Sequence, residues 1–208
     1  MNLINSLIKG GYLKSPEIIS AFKKIDRRDF LRPADRGKSE INEPVDIGYG
    51  QTNSQPATVA FMLEKLRPKS GDKILDLGSG SGWTTALLAE IVGAPGRVYG
   101  VERISELRDF AEANVKKYNF NKNTVQIICS DGFYGLPNHG QFDKIMISAA
   151  GQEIPPELVR ELKIGGRLIM PVGQKLQTQT LVVMEKLNES EFRTEKYPGY
   201  IFVPLVTN

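Results

Sequence analysis

Short apolar runs alternate with longer helix-like segments through most of this 208-residue chain. The runs that predict strands are 73–77, 97–101, 125–129 and 142–147. The segments that predict helices are 55–66, 83–92, 104–118 and 155–162. Strands that are separated by helices join through right-handed crossovers into a parallel sheet with helices on both faces. The alternation therefore predicts an α/β fold with a doubly wound, mostly parallel sheet.

The two ends of the chain depart from this alternation. About the first 35 residues predict two short helices, and residues 32–55, which are rich in Gly and Pro, predict an irregular loop. Near the end of this loop, Ser54 is in position to cap the next helix. The predicted strands 167–171, 179–186 and 200–206 follow one another without helices, which predicts an antiparallel C-terminal edge. We expect one domain over 1–208. Within it, residues 1–55 supply the N-terminal helices and active-site loop, and 56–208 form the cofactor-binding α/β core with the C-terminal strands.

Composition narrows the possible classes of protein. The net charge of +3 is too small to predict a nucleic-acid-binding surface, and no apolar run approaches the ~20 residues that span a bilayer. One cysteine, Cys129, excludes an intramolecular disulfide, and one histidine, His139, makes a poor metal site. The N-terminus lacks the features of a signal peptide. We therefore expect a cytoplasmic monomer without a metal, a nucleic-acid partner or a membrane partner.

The strongest local motif is Asp76-Leu-Gly-Ser-Gly-Ser-Gly82, between a predicted strand and a predicted helix. Its glycines allow the backbone to turn sharply and to approach a ligand closely. Dinucleotide-binding turns prefer the spacing G-x-G-x-x-G and hold a pyrophosphate, which the charge of Asp76 would repel. The spacing G-x-G-x-G with a preceding carboxylate instead suits the ammonium group of a methionine-derived cofactor.

Two further carboxylates follow the next two predicted strands. Glu102 lies twenty residues beyond Gly82, where a ribose-binding carboxylate belongs, and Asp131-Gly132 can accept a hydrogen bond from an adenine amino group. Each carboxylate taken singly is equally well explained as a helix cap or a turn residue. Together, three carboxylates after three strands favour S-adenosyl-L-methionine over a nicotinamide dinucleotide.

A second motif, Ile47-Gly-Tyr-Gly-Gln-Thr-Asn-Ser-Gln-Pro56, is close to the pattern I-G-x-G-Q-T-I-S-x-P of the protein-L-isoaspartate (D-aspartate) O-methyltransferases. The chain resembles this family over nearly its whole length. The resemblance extends to the segments 75–82, 130–132, 171–173 and 203–205. It implies a Rossmann-like class I methyltransferase fold. It also implies methyl transfer from S-adenosyl-L-methionine, released as S-adenosyl-L-homocysteine, to the free carboxylate of L-isoaspartyl residues in damaged proteins or peptides, which initiates their repair.

The resemblance also implies roles for individual residues. Ser54 is expected to be the active-site hydroxyl, and Thr52, Ser54, Val203 and Pro204 are expected to bind a substrate peptide that lies extended along 200–205. The residues expected to bind the cofactor are Gln51, Thr52, Asn53, Asp76, Gly78, Ser79, Gly80, Gly82, Glu102, Arg103, Asp131 and Gly132. Residues 200–205 are equally well explained as a buried edge strand. Trp83 and Cys129 are interpreted as packing residues.

Two departures from the family leave other functions open. Asn53 stands where the family usually has an apolar residue, and the loop 37–44 lacks the usual A-Y-x-D stretch. A methyltransferase of another carboxylate substrate and a non-catalytic cofactor-binding homologue therefore remain alternatives, whereas a nucleotide oxidoreductase is disfavoured by the glycine spacing. The scarcity of histidine is compatible with methyl transfer, because an isoaspartyl carboxyl with a pKa near 4 is already ionised at pH 7 and needs no general base.

Overall fold

The computed structural model describes residues 2–174 and 177–206. Within these ranges the strands are β1 (Val45–Gly48), β2 (Gln51–Asn53), β3 (Lys73–Leu77), β4 (Arg97–Glu102), β5 (Val125–Cys129), β6 (Phe142–Ile147), β7 (Leu162–Val172), β8 (Gln179–Lys186) and β9 (Phe192–Tyr200). The helices are α1 (Leu3–Lys9), α2 (Pro16–Lys24), α3 (Pro56–Leu66), α4 (Trp83–Val92), α5 (Ser105–Val115) and α6 (Pro156–Glu161). Short 3₁₀ helices span Arg27–Phe30, Pro33–Lys38 and Gly132–Tyr134.

Seven strands form one sheet in the order β5-β4-β3-β6-β7-β8-β9. The first five strands in this order are parallel, and β8 and β9 pair antiparallel at one edge. The predicted doubly wound sheet with an antiparallel C-terminal edge is confirmed. The chain moves outward from β3 to β5 and then returns to place β6 on the other side of β3. Such a reversal of strand order creates a crevice at the carboxyl ends of the central strands, where ligands bind in open α/β sheets.

The sheet is buried on both faces, and successive residues of β3 divide between two cores. Ile74 packs with apolar residues of α2, α3 and α4, whereas Leu75 and Leu77 pack on the opposite face with apolar residues of β6, β7 and α6. This division follows from the alternation of side chains along a strand. No helix in the described ranges is both long and apolar enough to cross a bilayer.

The segment 32–55 is more ordered than the predicted irregular loop. It contains the 3₁₀ helix Pro33–Lys38 and an antiparallel hairpin of β1 and β2. The hairpin turns at Tyr49 and Gly50, whose φ angles are +56° and +69°. Two central residues at positive φ are typical of a tight hairpin whose twist matches its strands. These strands escaped prediction because each is short and carries polar residues.

The C-terminal prediction was wrong in its bounds. The last strand is β9, which pairs with β8, and residues 201–206 cross the carboxyl edge of the sheet instead. There, the backbone N–H of Ala150 donates to the carbonyl of Val203 and the N–H of Leu205 donates to the carbonyl of Ala150, both at 2.8 Å. Cys129, expected in the core, is exposed because β5 is the other edge strand.

Candidate active site

The glycine-rich turn connects β3 to α4 in a backbone conformation that requires glycine. Gly78, Gly80 and Gly82 have φ angles of +78°, +54° and +87°, a region that side chains disfavour. A Cβ atom on Gly82 would lie only 3.1 Å from Cβ of Ala111 in α5. The turn is therefore pressed against a neighbouring helix, and its glycines serve both conformation and packing.

A cleft of about 860 Å³, partly open to solvent, lies above this turn at the carboxyl ends of β3, β4 and β6. Most of the predicted site residues line it: Gln51, Thr52, Asn53, Ser54, Gly78, Ser79, Gly80, Glu102, Arg103, Asp131, Gly132, Val203 and Pro204. Asp76 and Gly82, also predicted to bind the cofactor, lie behind the lining rather than on it.

Backbone amides hold Glu102 and Asp131 at the ends of their strands. The buried carboxylate of Glu102 accepts from the N–H of Gly80 and from the N–H of Ile104, both at 3.0 Å. It thereby joins the glycine-rich turn to the end of β4. Asp131 accepts from the N–H of Phe133 at 3.0 Å and caps the 3₁₀ helix that follows. The cap interpretation of Asp131 is therefore correct, yet the residue also lines the cleft.

Asp76 lies directly beneath the turn and is completely buried. One carboxylate oxygen accepts from the hydroxyls of Thr84 at 2.8 Å and Thr85 at 2.6 Å, and the other has no partner in the described ranges. Burial raises the pKa of Asp76 to about 6, although the two hydroxyl hydrogen bonds act in the opposite direction. The group is therefore mostly ionised at pH 7 and places a negative charge under the cleft.

Two other buried polar atoms near the turn also lack partners within the described chain. They are the hydroxyl oxygen of Ser79 and the indole nitrogen of Trp83. Unpaired buried polar groups each cost roughly 1–3 kcal/mol, so sites that hold several of them suit a polar ligand. Trp83 packs edge-on against Phe22 at 5.6 Å between ring centroids, as predicted for a packing residue, but it also lines the cleft.

Ser54 follows β2 at the seam between the cleft and a second cavity. This second cavity, which we call the groove, is lined by Tyr12, Pro44, Thr52, Ser54, Gln55, Ala57, Thr58, Ser148, Pro198, Gly199, Tyr200, Ile201, Phe202 and Val203. Thr52, Ser54, Ser148 and Val203 line both cavities. The seam therefore brings together three of the four residues predicted to bind substrate, and the fourth, Pro204, lines the cleft.

The predicted role of Ser54 as a helix cap is wrong. The N-cap of α3 is Gln55, and the N–H of Ala57 donates instead to the side-chain oxygen of Asn42 at 2.9 Å. Asn42 belongs to the loop before β1, so this cap is tertiary and leaves no mark in the local sequence around Ser54.

Ser148 is a seam residue that the sequence interpretation missed. It directly follows β6, and its N–H donates to the carbonyl of Leu77 at 2.9 Å. Its position after an apolar strand was the available signal, because the carboxyl ends of parallel strands share one edge of the sheet.

Comparison with known proteins places this arrangement in a family. The whole chain, residues 1–208, matches the family model described as protein-L-isoaspartate(D-aspartate) O-methyltransferase. The chain belongs to this family. A protein-L-isoaspartate O-methyltransferase of Methanopyrus kandleri is 38% identical over 204 residues, covering 98% of this chain and 89% of the relative. One of Thermococcus onnurineus is 38% identical over 203 residues, covering 98% and 91%.

Among solved structures, the fold is similar to that of a putative protein-L-isoaspartate O-methyltransferase from Plasmodium falciparum. The two share 26% identity with a TM-score of 0.88, each chain is covered completely, and the Plasmodium protein is in complex with S-adenosyl-L-homocysteine. Membership of the isoaspartate O-methyltransferases therefore agrees with the sheet order, the glycine-rich turn and the two adjoining cavities.

Proposed function

We propose that this chain transfers a methyl group from S-adenosyl-L-methionine to the free carboxylate of L-isoaspartyl residues in damaged proteins and peptides, as the first step of their repair. The observation that carries this proposal is the seam, where Thr52 and Ser54 face the cofactor cleft on one side and the groove on the other. Family membership supplies the donor and the acceptor.

The cleft fits the donor through its arrangement of charge. Glu102 stands at the end of β4, where it is placed to hold a ribose, and Asp131 stands just beyond the end of β5 near the expected adenine. The buried charge of Asp76 favours the cationic methionine end of the ligand above the glycine-rich turn. When bound, the cofactor supplies an activated methyl group on a sulfonium and leaves as S-adenosyl-L-homocysteine.

The residues of the seam orient the acceptor. The isoaspartyl carboxylate is already ionised at neutral pH, so the protein has to align it and exclude water rather than remove a proton. We assign the hydroxyl of Ser54 to donate to this carboxylate, with Thr52 as a second positioning group. Alignment of two reactants in this manner lowers a barrier by up to about 7–11 kcal/mol.

The groove suits a peptide that carries the damaged residue. None of its described lining residues bears a formal charge, and Tyr12, Tyr200, Ile201 and Phe202 present apolar surface to it. Ile201 is 80% exposed and extends this apolar surface at the mouth of the groove. We further propose that the enzyme acts in the cytoplasm as a monomer, in keeping with its one cysteine, which excludes an intramolecular disulfide.

A pair of matched peptides tests this function. The two peptides have the same sequence, and one contains an isoaspartyl and the other an aspartyl residue. With methyl-labelled S-adenosyl-L-methionine, we expect base-labile label in the isoaspartyl peptide alone. Equal labelling of both peptides would indicate another carboxylate substrate. Binding of S-adenosyl-L-homocysteine without labelling of either peptide would indicate a non-catalytic homologue.

A further inference from the structure

Arg27 is a buried cation whose hydrogen bonds all go to one segment of the chain. It lies in the 3₁₀ helix Arg27–Phe30 and is only 4% exposed. Its guanidinium donates to the backbone carbonyls of Ile41 and Glu43 at 2.8 Å and of Ser54 at 3.2 Å. Longer bonds reach the carbonyls of Asn53 at 3.4 Å and Ser39 at 3.5 Å.

The strongest side-chain partner of Arg27 is Asn53, whose amide oxygen accepts from Nε at 2.8 Å. These acceptors around the guanidinium are all neutral, and burial lowers the pKa of Arg27 to about 10. A buried cation is retained where it organises structure, since its desolvation opposes folding. Here it holds the loop that ends at Ser54.

Asn53 extends this network across the cleft. It is 4% exposed, and its amide nitrogen donates to the hydroxyl of Ser81 at 3.1 Å. Ser81 belongs to the glycine-rich turn beneath the cofactor cleft. The side chain of Asn53 therefore joins this turn to the loop 39–54, which we call the acceptor loop because it carries Ser54. An apolar side chain at this position could make neither hydrogen bond.

We propose that Asn53 is a positioning residue that fixes the acceptor loop, and with it Ser54, relative to the glycine-rich turn through the connection Arg27–Asn53–Ser81. This inference rests on the proposed function and adds to it a determinant of alignment. The two segments are 28 residues apart in sequence at the contact, and both line the cleft. Loss of this connection allows the hydroxyl of Ser54 to shift, while the other walls of the cofactor cleft stay in place.

The expected effect is on turnover rather than on cofactor binding. A displacement of about 1 Å between reacting groups lowers a rate by up to about a hundredfold. We therefore expect Asn53→Leu, which has a similar shape but neither hydrogen bond, to lower kcat with the isoaspartyl peptide by about ten- to a hundredfold. Although Asn53 lines the cleft and was predicted to bind the cofactor, both ends of its buried amide are bound to Arg27 and Ser81, so the affinity for S-adenosyl-L-homocysteine should stay within about threefold of the wild type.

The chain offers a matched control on the other side of the same turn. The side-chain nitrogen of Asn114 in α5 donates to the backbone carbonyl of Ser81 at 3.1 Å, and this side chain is also buried. Asn114→Leu is the same substitution and disturbs the same turn residue. The wild-type Asn114 side chain, however, is bonded to the turn and to Lys117 rather than to the acceptor loop. We expect this variant to weaken cofactor binding and to keep kcat at saturating cofactor within about threefold.

Cofactor affinity is measurable without activity, because the chain contains one tryptophan, Trp83, which lines the cleft. Its fluorescence during titration with S-adenosyl-L-homocysteine reports both folding of the variant and the dissociation constant. Asn53→Asp serves as the rescue variant, since its two oxygens accept from Arg27 and from the hydroxyl of Ser81. It should recover most of the kcat lost in Asn53→Leu.

Two results would overturn the proposal. One is a kcat for Asn53→Leu within about threefold of the wild type. The other is the same weakened cofactor binding in Asn53→Leu and Asn114→Leu with no separate loss of kcat. If Asn53→Leu does not fold, Ser81→Ala decides, because it removes only the acceptor of the connection and must lower kcat while it retains cofactor binding. Absence of turnover in the wild type would count against the proposed function instead.

Discussion

The buried carboxylate of Asp76 makes the stability of this protein depend on pH in an unusual direction. Carboxylates that are paired in the native state normally lose stability as the pH falls. Asp76 is completely buried, and its pKa is raised from the ordinary 3.8 to about 6, chiefly by desolvation. Its neutral form therefore fits the folded chain better than its charged form.

The magnitude follows from this difference in pKa. One pKa unit corresponds to about 1.4 kcal/mol, so a rise from 3.8 to about 6 corresponds to about 3 kcal/mol. Between these two values the folded state binds more protons than the unfolded state. The contribution of Asp76 to the free energy of unfolding is therefore fully present below about pH 3.8, falls as the pH rises through about 6, and stays constant above that.

The assay is urea unfolding of the wild type and of Asp76→Asn between about pH 4.5 and 7.5. Subtraction of the two free energies of unfolding removes the titration of every other group. We expect the wild type to lose about 2 kcal/mol relative to the variant across this window, most of it below about pH 6. The pH-independent part of the difference between the two free energies of unfolding is less informative. The amide NH₂ that the variant carries has no acceptor where the unpaired oxygen of Asp76 lies, and an unpaired buried donor costs about 1–3 kcal/mol.

A difference in free energy of unfolding between wild type and Asp76→Asn that stays constant with pH would refute this reasoning, since it would mean that Asp76 titrates alike in the folded and unfolded chain. A difference of the opposite slope would mean that its hydrogen bonds with Thr84 and Thr85 outweigh desolvation. The charge of Asp76 at neutral pH also bears on function.

Asp76→Asn should weaken the binding of S-adenosyl-L-methionine, because the negative charge under the turn is lost.

Two other substitutions test the site, and a pair of glycine substitutions tests the packing beneath it. Ser54→Ala should lower methyl transfer by about ten- to a hundredfold in a labelled-peptide assay with the affinity for S-adenosyl-L-homocysteine unchanged; equal activity would remove Ser54 from its assigned role. Glu102→Gln should weaken cofactor binding by about tenfold or more in calorimetry, since a carboxylate that accepts two backbone N–H bonds is replaced. Gly132→Ala should lower the melting temperature, because its Cβ would lie 2.5 Å from Cγ of Leu77, whereas Gly37→Ala, with open space around it, should be near neutral.

The elements with a clear apolar run were the most predictable part of the fold. The bounds of β3, β5, β6, α4 and β8 agree with the predicted segments. These strands, including the edge strand β5, contain apolar runs, and a glycine-rich turn separates β3 from α4 clearly. The edge strand β9 was missed and the hairpin of β1 and β2 was predicted to be a loop, because polar or very short strands have no such signal.

The cofactor half of the site was predictable from local sequence to a similar degree. Gly78, Gly80, Glu102 and Asp131 lie at or just after strand ends, and parallel strands bring their carboxyl ends to one edge, so strand order alone places them near one cleft. Ser148 obeys the same rule and was overlooked. The burial of Asp76 behind the cleft was not predictable, since it depends on the hydroxyls that α4 presents to it.

By itself, the sequence determined the fold class, the glycine-rich turn and the methyl donor, because each follows from apolar runs, from a local motif or from the residues that directly follow a strand. Only the tertiary structure decided that Ser54 lies at the seam between cleft and groove, and that Arg27 and Asn53 hold its loop against the turn. Those contacts join segments 26 and 28 residues apart through side chains buried by the packing of the N-terminal helices, the hairpin and the sheet. Hydrogen bonds of this kind have no period or spacing in the sequence and arise only when the core has brought their partners together.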